Sequence, residues 1–422
     1  MNENFCTPVP ARRISAKAQV EWRVASKNCT RINITVRQNG AVVRDCGTFE
    51  ITPDLALNKI VPDTNGIVGS ITFVLSFLRG DTVCETIEQD YQIVSSEVCS
   101  TRLLDGCWVS ILHFSPSESR YFREGLLNMT ADDWRNHVRS MNKVGIKSIL
   151  IQNVFDSPYY AYQHDRTVDN YDGEAFYDSA LYSGRANIKC LDAIEAILSE
   201  ADKYDMTVFP GVGLFAWFDF SPESLEWHKR VTKELHDKFG HHKSFYGWYI
   251  SEEIMGDLYF SYQPVPDEKY KDIQDFFREY KKYVHALTPT KPVALAPNNI
   301  GFHLHEKQWL PILENLDIII PFAFARSYYN VAKIARICAQ TGTHFWVDME
   351  MFAYPFDNGL KPKKLDEMLT EMKNYDSLEQ VYGYQYTGLM NEPGFRNGLG
   401  EEDTEDLFCD YLKYYNERTA ND

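Results

Sequence analysis

The chain has 422 residues, of which 44% are hydrophobic, so it is too long for an ordinary single domain and can bury sizeable cores. Acidic residues outnumber basic ones by 60 to 43, for a net charge of −17, which argues against a nucleic-acid partner and against attraction to an anionic membrane. No run approaches the roughly 18 apolar residues of a membrane span, so no membrane insertion is predicted.

The start of the chain, Met1–Cys6, does not place a basic segment before an apolar one, so no secretory signal is expected. This predicts a cytoplasmic location, or an extracytoplasmic one if a signal has been removed. The nine cysteines include no CxxC spacing, which argues against zinc-finger and thioredoxin-like sites and favours reduced, mostly buried thiols. Nothing in the sequence indicates the oligomeric state.

Residues 1–100 are predicted to form a small all-β sandwich. Apolar and polar residues alternate in Val20–Val24, Arg31–Val36 and Ser70–Ser76, as they do in half-buried antiparallel strands. Asn39-Gly40 after the second of these runs is typical of a tight hairpin turn. The strands carry no cluster of His, Asp or Glu, so a structural role is expected, with carbohydrate binding as the alternative.

Residues 101–422 alternate strand-like with helix-like segments, and the pattern predicts a (β/α)8 TIM barrel that carries the catalytic site. The eight predicted strands are Cys107–Phe114, Ser148–Phe155, Thr207–Leu214, Phe245–Glu253, Val293–Asn299, Ile318–Arg326, Phe345–Phe352 and Val381–Thr387. The eight predicted helical segments are Ala131–Lys143, Ile188–Tyr204, Pro222–Phe239, Asp267–Leu287, Glu306–Leu313, Asn330–Gln340, Lys364–Tyr375 and Glu402–Tyr415. A doubly wound sheet is the main rival, but it would require a Gly-rich phosphate loop after the first strand, and none is present.

Two of the predicted strands end in acids. The run Phe245–Glu253 is aromatic and apolar until Glu252 and Glu253, and His344–Glu350 has the same form. In α/β barrels the chemistry is assembled at the carboxyl ends of the strands. Two such strand ends can place two carboxylates opposite each other across one pocket, which is the arrangement that hydrolysis of a glycosidic bond requires.

Strand alternation sorts these acids by face. Glu253 shares one side of its strand with Tyr249 and Ser251, whereas Glu252 lies on the other side, so only one of the two acids is expected to point to the barrel axis. In the seventh strand Asp348 and Glu350 share a side, with Glu350 nearer the mouth. The predicted catalytic pair is therefore Glu253 and Glu350.

Polar residues also lie at the ends of other predicted strands, and aromatic residues follow some of these strands. Hydroxyl-rich ligands are oriented by such groups, and sugar rings stack on aromatic faces. The candidate substrate-binding residues are His113, Asn153, Trp217, Glu252, Asn298, Asn299, Arg326, Asp348 and Tyr386, accompanied by Gln152, Gln385 and the aromatic run Tyr159–Tyr162. Trp217 and that run fall in long loops after the third and second strands, where substrate loops of a barrel are found.

No metal or cofactor is predicted. His241-His242 and the pair His303 and His305 have no acidic partner at ligand spacing along the chain. The sequence also contains no Gly-x-Ser-x-Gly elbow and no nucleotide-binding loop, so acyl and phosphoryl transfer are poorly supported.

Four segments carry a resemblance to a known family. Asp105–Val109, Ile151–Asp156, Gly247–Glu253 and Phe345–Glu350 resemble the family called domain of unknown function 4434, a glycosidase-like (β/α)8 barrel group. The resemblance covers about residues 103–416. It is specific for the barrel and says little about the substrate.

More distantly, the layout is similar to the large clan of retaining glycosidases with Glu after strands four and seven. That resemblance implies that Glu253 is the acid/base and Glu350 the nucleophile, with Asp348 as an orienting group. The triplet Glu252-Glu253-Ile254 stands where the clan commonly has Asn-Glu-Pro or Asp-Glu-Pro. This difference removes the Asn that binds the sugar 2-hydroxyl in such enzymes.

The predicted function is hydrolysis of a carbohydrate substrate, with retention expected from the placement of the acids. Glu253 would be kept protonated by partial burial and by Glu350. A carboxyl separation of about 5–5.5 Å would mean retention and about 6.5–9.5 Å inversion. The sugar, the linkage, and endo or exo action stay open. The alternatives are a non-catalytic carbohydrate-binding barrel, and a lyase or isomerase that pairs one of these acids with His113.

Overall fold

A computed structural model describes residues 3–156, 167–212, 218–258, 266–326 and 328–420, without the side chains of Arg326 and Tyr328. It contains an all-β region at the N-terminus followed by a closed parallel barrel with helices outside it. The fold class predicted from the sequence is therefore confirmed. The boundary proposed near residue 100 stays a prediction.

The N-terminal region consists of two sheets, in which most strand pairs are antiparallel, packed face to face. Its strands are β1 (Asn4–Val9), β2 (Arg13–Ser15), β3 (Glu21–Ser26), β4 (Arg31–Gln38), β5 (Ala41–Glu50), β6 (Asn58–Ile60), β7 (Gly69–Arg79) and β8 (Thr82–Val94). One sheet has the order β1-β3-β6 and the other β2-β8-β7-β4-β5. Trp22, Ile34 and Phe73 are buried in the core of this region. Alternate residues of β4 are buried, as the sequence pattern requires.

The hairpin predicted at Asn39-Gly40 joins β4 to β5. Gln38 pairs with Ala41, so the turn has two residues, and both have positive φ, 52° for Asn39 and 79° for Gly40. A two-residue turn with both φ angles positive matches the right-handed twist of the strands it connects. Asn and Gly are the residues that adopt this backbone conformation most readily.

In the described residues the barrel has eight strands, all parallel, and it closes on itself. The strands in order are Gly106–Val109, Ser148–Ile151, Thr207–Val212, Trp248–Ile250, Val293–Leu295, Ile318–Ile319, the two segments His344–Phe345 and Val347–Glu350, and Val381–Tyr384. Each pairs in parallel with its neighbours, and strand eight pairs with strand one. Strand seven is divided at Trp346, so that its first segment pairs with strand six and its second with strand eight.

Helices cover the outside of the barrel. They are α1 (Arg123–Asn128), α2 (Ala131–Lys143), α3 (Ala193–Lys203), α4 (Pro222–Phe239), α5 (Asp267–Leu287), α6 (Glu306–Leu313), α7 (Val331–Thr341), α8 (Leu365–Met372) and α9 (Asp403–Thr419). Single 3-10 turns lie at Phe302–Leu304, Phe324–Arg326, Tyr328–Asn330 and Lys373–Tyr375. Two-residue strands outside the barrel are Phe155–Asp156, Glu174–Ala175, Gly184–Arg185, Phe352–Ala353 and Lys361–Pro362. None of the described helices is long and apolar enough to cross a bilayer.

Local capping explains where two of these helices begin. The Thr130 hydroxyl accepts a hydrogen bond from Asp133 N at 3.2 Å, and the Asp133 carboxylate accepts one from Thr130 N at 2.8 Å, so two backbone N–H groups at the start of α2 are satisfied. Ser221 caps α4, whose first residue is Pro222. Both starts agree with the sequence analysis.

The interior of the barrel is filled by large side chains and is sealed at one end by the N-terminal region. Trp346 and Tyr382 stack in it with ring centroids 5.2 Å apart. Val9, the last residue of β1, and Ala11, in the connection between β1 and β2, join the same buried cluster. Because this connection meets the amino ends of the barrel strands, the N-terminal region forms the floor of the barrel.

Two buried arginines of the N-terminal region bind acids at the amino ends of barrel strands. Arg13 pairs with Asp105 at 3.0 Å and Arg23 with Asp317 at 2.9 Å, and the four side chains are at most 2% exposed. Arg23 also donates to the carbonyl oxygen of Thr290 at 2.9 Å. Burial alone would raise the pKa of Asp317, but Arg23 and its other cationic neighbours lower it well below its ordinary value.

All nine cysteines lie in the described ranges and none forms a disulfide. Cys29, Cys107, Cys190 and Cys338 are buried, Cys84 and Cys409 are exposed, and the others are half-buried. The thiols are thus unbridged as expected, although fewer than half of them are buried.

Replacing Arg23 with alanine is expected to lower the free energy of unfolding by about 3 kcal/mol or more, because the variant leaves a buried carboxylate short of its main partner. The matched control is Arg37→Ala. Arg37 pairs with Glu88 at the surface of the same region, with both side chains about 40–50% exposed, so its loss is expected to cost about 0–1 kcal/mol. Denaturant unfolding measures both values, and equal losses would contradict a special role for the buried pair.

The stability of the protein is expected to fall as the pH rises from about 6.5 to 9, because of His344. This side chain lies 2.8 Å from Glu379 and 3.7 Å from Glu21 of β3. Burial would lower its pKa, but the two carboxylates raise it from 6.5 to about 9. Because folding raises this pKa, protonated His344 stabilises the folded protein fully at pH values below its pKa in the unfolded chain. This stabilisation, up to about 3 kcal/mol, is lost as the pH rises through its pKa in the folded protein.

The variant His344→Gln isolates this contribution. We expect its free energy of unfolding to change less between pH 6.5 and 9 than that of the unaltered protein. The difference between the two curves in denaturant titrations at several pH values is the measurement. If the free energy of unfolding depended on pH in the same way in both proteins, His344 would not be the group whose charge stabilises the fold.

Candidate active site

One cavity opens at the carboxyl ends of the barrel strands, where catalytic residues of such barrels are found. Its volume is about 280 Å³. Acids, amides and aromatic rings line it together. The lining residues are Trp108, Phe114, Glu118, Gln152, Asn153, Tyr249, Ser251, Glu253, Ala296, Asn298, Phe322, Ala323, Asp348, Glu350, Phe352, Tyr354, Leu360 and Tyr384.

Strand four delivers Glu253 to this cavity by simple alternation. Tyr249, Ser251 and Glu253 all line the cavity. Trp248 faces outward, where its indole N–H donates to Thr288 at 3.0 Å. The separation of faces along this strand is therefore the one that period-two alternation predicts.

Glu252 lies on the outward side of the same strand end. Its side chain is only 2% exposed and it does not line the cavity. One carboxylate oxygen accepts a hydrogen bond from Phe218 N. Burial, assisted by the charges of Asp219 and Glu253, raises the pKa of Glu252 well above its ordinary value. Glu252 thus holds the segment after strand three instead of facing a ligand.

Glu253 is accessible to solvent through the cavity and yet is enclosed by protein on most sides. This enclosure raises its pKa, and the charge of Glu118 raises it further. A carboxyl group with a raised pKa holds its proton closer to neutral pH than a free glutamate does. Such a group is suited to donate a proton to a leaving group.

Strand seven contributes two carboxyl groups. Glu350 is half-buried at the strand end, and Asp348 lies two residues earlier with 4% exposure. Burial raises the pKa of Asp348 well above its ordinary value, and the charge of Glu350 adds to the effect. Among the described residues, no group forms a hydrogen bond with Asp348 Oδ1. This buried acceptor beside the cavity is available to a ligand hydroxyl.

Glu118 is a fourth acid of the cavity, and the sequence analysis did not identify it. Its carboxylate lies 3.6 Å from His113 Nε2 and 3.4 Å from the Tyr354 hydroxyl. Burial raises the pKa of Glu118. It comes from the loop after strand one, nine residues beyond the last strand residue, Val109, so neither alternation nor an apolar run points to it.

His113 does not line the cavity but supports a residue that does. It is fully buried, and burial lowers its pKa to about 4, so it is neutral at pH 7. Its Nδ1 lies 3.1 Å from Ser115 N and 3.2 Å from Ser115 O, and its other ring nitrogen is Nε2. That nitrogen lies 3.2 Å from the Tyr384 hydroxyl, which in turn donates to Gln152 Oε1 at 3.2 Å. The chain of hydrogen bonds fixes Tyr384 and Gln152 at the cavity wall.

The two asparagines after strand five have different positions. Asn298 lines the cavity, and its Oδ1 accepts a hydrogen bond from Ile300 N at 2.9 Å. Asn299 is fully buried and does not line it; its amide donates to Phe322 O at 2.6 Å and accepts from Asn330 at 3.1 Å. Of the pair, only Asn298 is placed to touch a ligand.

Strand eight presents Tyr384 to the cavity, and Tyr386 points away from it. Tyr386 is fully buried, with its hydroxyl 2.8 Å from Ser140 of α2. Gln385 is also buried, beside the Ser110 hydroxyl.

Asn153 lines the cavity as predicted for its strand end. Trp217 and the aromatic run 159–162 lie outside the described residues, as does the side chain of Arg326.

His241 and His242 have acidic neighbours that sequence spacing does not reveal. They lie in the turn that leads to strand four, beside Glu195 and Asp202 of α3. None of these residues lines the cavity.

A family model described as domain of unknown function (DUF4434) matches residues 104–397. This range includes every barrel strand and the four acids of the cavity. A comparison with curated proteins gave no match.

Solved structures are similar to this chain at low sequence identity. A proposed alpha-L-fucosidase from Bacteroides thetaiotaomicron VPI-5482 is 18% identical over 75% of this chain and 95% of its own, with a TM-score of 0.56. A beta-glucuronidase from Parabacteroides merdae is 12% identical over 98% of this chain and 54% of its own, with a TM-score of 0.42. A beta-galacturonidase from Eisenbergiella tayi is 11% identical over 94% and 69%, with a TM-score of 0.43.

Replacing Glu118 with glutamine is expected to lower the pKa of Glu253, because it removes a negative charge that disfavours ionisation of its neighbour. Nuclear magnetic resonance titration of carboxyl carbons in labelled protein measures the shift without any substrate. Glu88→Gln, an exposed change in β8, is the control and should leave the Glu253 titration unchanged. An unaltered Glu253 titration in Glu118→Gln would show that the two groups do not interact.

Proposed function

Since the chain belongs to the DUF4434 family, whose description states no activity, we propose from the cavity itself that the protein is a glycoside hydrolase. The observation that carries the proposal is that Glu253, from the end of strand four, and Glu350, from the end of strand seven, line one open cavity. Two carboxyl groups on either side of a bond are the machinery of most glycosidases. The fold shared with the proposed alpha-L-fucosidase agrees with this function but does not establish it.

The environments of the acids support different roles for them. Glu253, whose pKa is raised by enclosure and by Glu118, donates a proton to the leaving oxygen. Glu350 attacks the anomeric carbon and forms a glycosyl-enzyme intermediate, which water then releases with Glu253 acting as base. Asp348, buried behind Glu350, orients it or accepts a hydrogen bond from a sugar hydroxyl through its open oxygen.

The sugar 2-hydroxyl needs a partner other than the one that related glycosidases use. Glu252 occupies the position of their asparagine, but it is turned away from the cavity and holds the Phe218 backbone. The amide side chains of Gln152, Asn153 and Asn298 lie at the cavity wall. We assign the contacts with sugar hydroxyls to these amides, and the stacking surfaces to Trp108 and the other rings of the lining.

The two alternative functions receive less support. A binding barrel has no need for acids with raised pKa values, whereas three of the acids in this cavity have them. A lyase or isomerase that uses His113 would need that ring at the reacting carbon. His113 is fully buried and lies behind Tyr384.

The variants Glu253→Gln and Glu350→Gln are each expected to reduce hydrolysis by about 10³-fold, because each removes a proton donor or a nucleophile and keeps the side-chain shape. A panel of nitrophenyl glycosides with neutral, acidic and amino sugars provides the assay. Glu226→Gln on the exposed face of α4 is the matched control and should retain full activity. Full activity in either cavity variant would exclude the two-carboxylate mechanism.

A retaining mechanism is expected, with a separation of about 5–5.5 Å between the carboxyl groups of Glu253 and Glu350. Proton magnetic resonance of the first product detects its anomeric configuration before mutarotation. An external nucleophile such as azide should restore turnover to Glu350→Ala and give a glycosyl azide. A first product of inverted configuration would instead assign Glu350 as the base that activates water.

A further inference from the structure

We propose that Glu195, His241 and His242 form a binding site for a divalent ion of the zinc class, separate from the cavity. Glu195 belongs to the first turn of α3, and the two histidines lie in the turn between α4 and barrel strand four. One ligand atom from each residue can be chosen so that all three lie within 4.8 Å of one another. Two imidazoles and one carboxylate are a donor set that zinc binds in proteins.

His242 is the most buried member of the group. It is 7% exposed, and its Nε2 lies 3.0 Å from Glu195 Oε2. Its Nδ1 lies 2.7 Å from Asp202 Oδ2. A carboxylate that holds one ring nitrogen of a histidine fixes the ring and directs the other nitrogen toward a metal. Asp202 is thus a positioning residue for this site.

Asp202 is itself held in place by the backbone. Its second oxygen accepts a hydrogen bond from Ser244 N at 2.7 Å. Asp202 and Glu195 both belong to α3, so the ring of His242 is fixed against one rigid element. The position of Nε2 is therefore set before any ion arrives.

His241 supplies the adjustable ligand. It is exposed, and its ring lies 4.2 Å from the ring of His242, centroid to centroid. Zinc bonds of about 2.0–2.2 Å place tetrahedral ligand atoms roughly 3.3–3.6 Å apart. The most widely separated ligand atoms of the group must therefore move about 1 Å closer together to hold an ion. Rotation of an exposed imidazole supplies this movement without disturbing the core.

In the absence of an ion, His242 serves as a hydrogen-bonding bridge between Glu195 and Asp202. Binding of the ion replaces the proton on Nε2, which leaves to solvent, and the nitrogen lone pair and the Glu195 carboxylate become ligands. Three protein ligands leave the fourth position to water. The ion would connect α3 to the segment that enters strand four, so its expected effect is on stability and not on the cavity.

Isothermal titration of the full chain with zinc chloride tests the proposal. We expect one ion per chain with a Kd in the low micromolar range, and a rise in Tm of roughly 3–5 °C at 100 times the Kd. His241→Ala and Glu195→Gln should weaken binding at least tenfold. His241 is exposed and Glu195 is half-buried, and circular dichroism checks that the variants fold.

His303→Ala is the matched control, because His303 also lies in a His-x-His segment but faces the ammonium group of Lys333 at 3.3 Å. This change should leave zinc binding unaltered. Asp202→Asn should weaken binding by about tenfold or more, as changes to such carboxylates do. Absence of binding at 100 µM zinc, equal affinity in His241→Ala, or an equal loss in His303→Ala would each overturn the proposal.

Discussion

Removing a carboxyl group from water costs free energy, and this cost determines how the buried acids at both ends of the barrel are paired or protonated. At the amino ends of the strands, Asp105 and Asp317 are buried against Arg13 and Arg23, and the cationic environment keeps Asp317 ionised. At the carboxyl ends, burial raises the pKa values of Glu118, Glu253 and Asp348, three acids of the cavity. Carboxyl groups are therefore buried in ion pairs at one end of the barrel and line an open cavity at the other.

Most of the fold could be predicted from the sequence because apolar and polar residues recur with the period of a strand or of a helix. The β/α alternation, the hairpin at Asn39-Gly40 and the starts of α2 and α4 depend on local chemistry that the chain displays directly. The division of strand seven at Trp346 could not be predicted, since it follows from the way two neighbouring strands pair with its two halves. The entry of Val9 and Ala11 into the barrel is a contact between distant parts of the chain and leaves no periodic signal.

The candidate site could be predicted only where it lies on a strand or close to the end of one. Alternation separates Glu253 from Glu252, and apolar runs ending in acids draw attention to Glu350. Alternation continues past the end of strand four as far as Glu253, but it does not hold past the ends of strands five and eight. Asn299 and Tyr386 were expected at the cavity and instead pack behind it. Glu118 comes from an irregular loop, and the acidic neighbours of His242 come from another helix. Residues brought together by tertiary packing alone leave no pattern in the sequence.

The seal formed by Val9 and Ala11 has a consequence for how such a protein can be altered by recombination. The first hundred residues are not an appendage joined by a linker, because they complete the hydrophobic interior of the barrel and neutralise two of its buried acids. An exchange of this region for another sandwich would have to reproduce both the apolar side chains and the two arginines. The two parts are therefore expected to be inherited as one unit, and a library that shuffles them separately should recover few folded chimaeras.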